Sequence, residues 1–94
     1  MPTKLEYVDI LNLIAEELNR AEEKFPGFPE DPIHAAAVVA EESGELTQAA
    51  LQCTYQGLSL SEMQKEAVHT VTMAVRFLMN MHLFKLKKSK QVYL

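Results

Sequence analysis

The sequence predicts an all-α fold: a helical hairpin or bundle of three main helices, over about residues 4–24, 32–55 and 60–83, completed by association with further copies of the chain. Two observations carry this. Apolar residues recur at three- and four-residue steps along all three segments, with no strand-like alternation, and the three glycines and four prolines fall mostly between those segments. Size supplies the expectation of association. A 94-residue chain buries only about 65% of its unfolded surface, so pairing with a copy is a favoured route to stability. Residues 1–84 are read as one domain and 85–94 as a basic tail.

Helix one is expected to open on a capping box between Thr3 and Glu6 and to run to Lys24. Tyr7, Ile10, Leu11, Ile14, Leu18 and Ala21 form its apolar stripe, and Glu16, Glu17, Glu22 and Glu23 its wet side. Phe25 to Pro32 holds Pro26, Gly27, Pro29 and Pro32 and must be a loop. Asp31 then caps helix two, with Pro32 at the first helical position, where its missing amide hydrogen costs nothing. Gly57 stops that helix, and Ser59 with Glu62 opens helix three. I.e. each boundary is set by residues within a few positions of it.

Thirteen acidic side chains meet nine basic ones, and Lys85, Lys87, Lys88 and Lys90 all lie in the tail. Residues 1–84 therefore carry thirteen acidic against five basic groups, net −8. Such a body repels nucleic-acid phosphate and favours a cation site. A lone Cys53 excludes an internal disulfide framework or a cysteine zinc cluster and fits a reducing cytoplasm. Every long apolar stretch is cut by His, Arg or Asn, so no membrane span is expected.

On a helical projection of helix two, Ile33, Ala36, Val39, Ala40, Leu46, Ala50 and Leu51 take one side, and His34, Glu41, Glu45, Gln48 and Gln52 the other, with Glu42 at the edge. Three carboxylates on one short arc repel one another unless solvent or a cation relieves them. Helix three carries a second polar stripe of Glu62, Glu66, His69 and Asn80, with Lys65 and Arg76 beside it. Antiparallel packing through the Gly57 turn would bring Glu42 and Glu45 towards Glu66 and His69. An oxygen-rich cage of this kind suits a hard cation completed by phosphate.

The run Glu41-Glu42-Ser43-Gly44-Glu45-Leu46 followed by Glu66-Ala67-Val68-His69 resembles the MazG-type all-α nucleoside triphosphate pyrophosphohydrolases, over about residues 5–83. The resemblance implies Mg²⁺, with Mn²⁺ as an alternative, bound by Glu42, Glu45 and Glu66, and Glu41 as a supporting group or further ligand. It also implies hydrolysis of a nucleoside triphosphate to monophosphate and pyrophosphate, with Glu41 and Glu42 serving the reacting water. The family motif ends in aspartate where this chain has His69, an imidazole that Mn²⁺ tolerates better than Mg²⁺ does. The alternative reading is accordingly a non-catalytic binding or assembly module of the same fold.

Glu62 is a capping residue or a replacement carboxylate. His34, Arg76 and Asn80 are the candidate substrate-binding residues, with Lys65 as a further phosphate partner. Phe25 and Phe28 either stack on a base or seal the core. Gly44, unfavourable in mid-helix by about 1 kcal/mol relative to Ala, is expected where another helix approaches closely. Apolar residues over most of helix three, Val71, Val75, Phe77, Leu78 and Met79 among them, predict a homodimer or dimer of dimers through that helix.

Overall fold

A computed structural model describes residues 3–87. It holds three α-helices, α1 (Tyr7–Lys24), α2 (Pro32–Gln56) and α3 (Leu60–Asn80), followed by a 3₁₀ turn at Met81–Leu83. The described residues contain no strand, and none of their helices is long and apolar enough to cross a membrane. Of the basic tail, Lys88 and Lys90 lie outside the described residues.

Local chemistry explains the helix ends. The Ile33 amide donates to Asp31 Oδ1 at 3.0 Å, with Pro32 in the first turn. Gly57 ends α2 at φ 73°, a left-handed conformation that glycine adopts without steric cost. Ser59 Oγ accepts from the Glu62 amide at 3.4 Å. The start of α1 differs from expectation. The backbone is still extended at Glu6, which is therefore the N-cap, and the box closes between Glu6 and Asp9, whose Oδ2 accepts from the Glu6 amide at 3.0 Å. The third helix also stops at Asn80, three residues short of the expected end, and tightens into the 3₁₀ turn.

The central helix is α3, which packs on both α2 and α1. The tight turn at residues 57–59 makes α2 and α3 antiparallel neighbours. Contacts of Glu17 with His69 and of Glu22 with Arg76 show that α1 runs in the direction of α3. Thr70 ties the α2–α3 pair together: its hydroxyl lies 2.9 Å from the Glu66 carbonyl and 3.1 Å from the Glu42 carbonyl, and shares its hydrogen between them.

The interior seam corrects the expected faces. On α2 the fully covered apolar residues are Ala35 and Ala49, two turns on either side of Glu42, whereas Ile33 of the expected apolar face is 80% exposed and Ala36, Ala40 and Leu51 are exposed as well. Small side chains at residues 35 and 49 let the α3 backbone come close, and that rotates the broader apolar stripe outward. On α3 the buried positions are Thr72 and Arg76, one turn apart on the flank of the polar stripe, whereas Val71 and Leu78 are exposed. Gly44 is corrected too. A Cβ there would meet no atom within 4 Å, so among the described residues no other helix approaches it closely.

Candidate functional site

Three helices enclose a cavity of about 480 Å³. One end is built from carboxylates. Glu41, Glu42 and Glu45 reach it from α2, Glu66 and His69 from α3, and Glu17 from α1. The other end is apolar, lined by Val38 and Met73 and by Phe25, Phe28 and Pro29 of the loop after α1. Of the candidates named from the sequence, Glu41, Glu42, Glu45, Glu66, His69 and Arg76 line this single cavity.

His69 stands at the centre of the polar end, half-buried, between the helices. Its Nε2 is 3.5 Å from Glu17 Oε2, while Nδ1 is 3.7 Å from Glu66 Oε2 and 3.9 Å from Glu42 Oε2. Those two carboxylate oxygens are buried and accept no hydrogen bond. Glu42, Glu66 and His69 each offer a ligand atom, all within 4.8 Å of one another. An unpartnered buried oxygen is costly, and two in one place define a site that gains from a cation. Burial, then repulsion from Glu45, holds the Glu42 carboxyl above its ordinary range, and Glu66 adds to the repulsion while His69 opposes it.

Glu17 behaves in the opposite way. Arg20 donates to both its oxygens, through Nε at 2.8 Å and through Nη2, and this bidentate pair lowers the Glu17 pKa against the effect of burial. Glu17 was expected on the wet side of α1 and is instead 13% exposed. The signal was in the spacing: residue 17 falls three after Ile14 and four before Ala21, on the stripe those residues define. Thr70 and Arg20 also escaped the sequence reading, because a lone hydroxyl or a surface arginine has no distinctive pattern.

Arg76 is placed at the boundary between the two ends, 3% exposed. Its Nη2 lies 2.5 Å from the Phe25 carbonyl, 3.2 Å from the Gly27 carbonyl and 3.2 Å from Glu22 Oε2, and the guanidinium sits over the Phe28 ring. This side chain holds the loop that forms the apolar wall. His34 is exposed near the start of α2 and does not line the cavity. Asn80 donates to the Arg76 carbonyl at 2.7 Å and is likewise outside it. Glu62 pairs with Lys65 at 3.2 Å on the surface, whereas Lys65 reaches the cavity rim. Cys53 is half-buried and a free thiol.

Comparisons with protein-family models, with curated proteins and with solved structures find no significant match.

Proposed function

We propose that the chain is a divalent-metal-dependent nucleotide pyrophosphohydrolase of MazG-like type, converting a nucleoside triphosphate to monophosphate and pyrophosphate. The observation that carries the proposal is the two-ended cavity, with a carboxylate and imidazole end beside an apolar, partly aromatic end, a division that matches a polyphosphate joined to a base. The EESGEL motif on α2 and Glu66 on α3 support it. Phe25, Phe28 and Met73 would cover the base, and Lys65 and Arg20 at the rim would meet phosphate oxygens.

Glu42 and Glu66 fit a metal by their orphaned oxygens, and Glu45 lies one turn beyond Glu42 on the same wall. A bound dication would neutralise the polyphosphate and acidify a water. Glu41, exposed on the cavity wall, would orient that water and take its proton, so no covalent intermediate is required. A reducing cytoplasm, as the single cysteine suggests, belongs to the same proposal.

Association into a homodimer or dimer of dimers is also proposed. Among the described residues only Ala21, Ala35 and Ala49 are buried apolar positions, while Leu78 is 67% exposed and Tyr7, Ile33 and Tyr55 are more so. A core this thin does not sustain a domain by itself. Light scattering should report at least twice the 10.6 kDa of the chain; a compact monomer at micromolar concentration overturns this part.

The enzyme reading is tested by pyrophosphate release over canonical and modified triphosphates, with Mg²⁺ and Mn²⁺ in separate series. Turnover of at least one nucleotide, lost in Glu42→Gln and Glu66→Gln, is expected. A second reading, a nucleotide-binding or assembly module without turnover, is favoured by His69 in place of the motif's aspartate. Nucleotide binding with no pyrophosphate release under either ion would replace the first reading by the second.

A further inference from the structure

We propose that the polar end of the cleft is an imidazole–carboxylate site for a first-row transition-metal dication of the Mn²⁺, Co²⁺ or Zn²⁺ class, ligated by His69 Nδ1, Glu42 Oε2 and Glu66 Oε2, with Glu17 orienting the imidazole through Nε2. It rests on the metal-binding half of the function proposed above and is independent of the hydrolytic half.

The geometry separates the two ring nitrogens. They lie on opposite sides of the imidazole, and each faces a different kind of oxygen. Nδ1 is 3.7 Å and 3.9 Å from the Glu66 and Glu42 oxygens that are buried and accept no hydrogen bond. Nε2 is 3.5 Å from Glu17 Oε2, an oxygen already fixed by Arg20. Ligand atoms sit about 2.0–2.2 Å from such an ion, and so about 3–3.6 Å from one another; the two nitrogen–oxygen separations are within a few tenths of an ångström of that range, and all three ligand atoms lie within 4.8 Å of one another. Metal-bound histidine almost always gives its other N–H to a carboxylate or carbonyl, which fixes the tautomer and raises the basicity of the ligating nitrogen. Glu17 stands where that acceptor is needed.

Charge supports the same assignment. Glu17 is paired with Arg20, and of the carboxylates that remain on the cavity wall Glu42 and Glu66 are the two whose ligand atoms cluster with the imidazole, while Glu41 and Glu45 stand outside that cluster. Two negative charges balance one dication. Mg²⁺ demands oxygen ligands and an almost ideal octahedron, whereas imidazole suits the later first-row ions.

Two measurements on the full chain, stripped of metal by chelation, test the proposal without any assay of activity. The first is ¹⁵N NMR of the imidazoles in the wild-type protein titrated with Zn²⁺. The His69 signals should show Nδ1 metallated and Nε2 protonated, with those of His34 and His82 unmoved. Metallation at Nε2, or shifts confined to His34 or His82, overturns it. The second is calorimetric titration with Zn²⁺ and Mg²⁺. All sites favour Zn²⁺ to some degree, so the informative quantity is the change in the Zn²⁺/Mg²⁺ affinity ratio, which His69→Asp should reduce about tenfold or more. Glu17→Gln should weaken Zn²⁺ about 10- to 100-fold, while Glu23→Gln, exposed on α1 and outside the cavity, leaves it unchanged. An unaltered ratio in His69→Asp, or a Glu17→Gln affinity equal to wild type, overturns the assignment. Since pyrophosphate release enters neither readout, failure of hydrolysis and failure of this site are distinguishable.

Discussion

The two ends of the cleft treat buried charge in opposite ways. Where the cleft turns apolar, Arg76 is a buried cation with a counter-charge in Glu22: its Nη2 is met by two loop carbonyls and that carboxylate, an aromatic ring lies over its face, and its buried Nε is left without a partner. At the polar end several carboxylates converge, and Glu42 Oε2 and Glu66 Oε2 have no donor at all. Charge that is compensated within the chain builds structure, here the wall formed by the loop after α1. Charge left uncompensated gains from a partner supplied from outside, and that distinguishes the proposed ligand-binding end from the scaffold end. Arg76, a substrate-binding candidate by sequence, belongs by its bonds to the scaffold.

The comparison is broken most directly at its scaffold end. Arg76→Met should destabilise the protein by about 2–3 kcal/mol, because it strands the Phe25 and Gly27 carbonyls, and urea denaturation measures this. Arg76→Lys should recover only part of the loss, since an ammonium cannot reproduce the planar fork over Phe28. A change below about 0.5 kcal/mol, the spread of ordinary surface substitutions, would mean that the loop does not depend on Arg76.

At the polar end, a dication at about 100 times its dissociation constant should add about 2.7 kcal/mol, read as a rise in melting temperature. Glu42→Gln should abolish most of that rise and yet raise the melting temperature of the metal-free protein at neutral pH. The sign follows from the raised Glu42 pKa, whose first cause is burial. The folded chain holds that proton more tightly than the unfolded one, so the cost is absent below the ordinary value of 4.5, grows as pH rises towards the folded pKa, and is complete above it. Glu17 runs the other way: its lowered pKa contributes stability above the ordinary value that is lost as pH falls through the folded one. Melting curves of Glu42→Gln and wild type should therefore diverge as pH rises from 4 to about 7; parallel curves would contradict the burial of that carboxylate.

Smaller effects sharpen the picture. Thr70→Val removes the hydroxyl between the Glu42 and Glu66 carbonyls and should cost about 1 kcal/mol, with a weakened metal response because the two helices lose their common register. Gly44→Ala should stabilise by about 0.5–1 kcal/mol, since the added methyl meets open space. Destabilisation by that substitution would instead place a second copy of the chain against α2 at residue 44.

The sequence by itself determined the three helices, both ends of α2 and the start of α3, though not the start of α1 or the end of α3. Asp31 with Pro32, Gly57, and Ser59 act through hydrogen bonds and backbone angles that span only a few residues, so their effect is legible without knowledge of the rest of the chain. It also placed the α2 carboxylates and Glu66 on helices that a short turn must bring side by side. The rotation of each helix about its axis was decided by tertiary packing. Ala35 and Ala49 face α3 because small side chains permit close approach, although the apolar stripe centred elsewhere on α2 looked the better candidate. That rotation carries Glu42 into the seam and exposes Ile33. The packing of α1 against α3 likewise brings Glu17 to His69, and the rotation of α3 sets Arg76 against the carbonyls of a loop about fifty positions away. Such contacts depend on distances in space between segments far apart along the chain, which helical periodicity, a property of one segment at a time, does not contain.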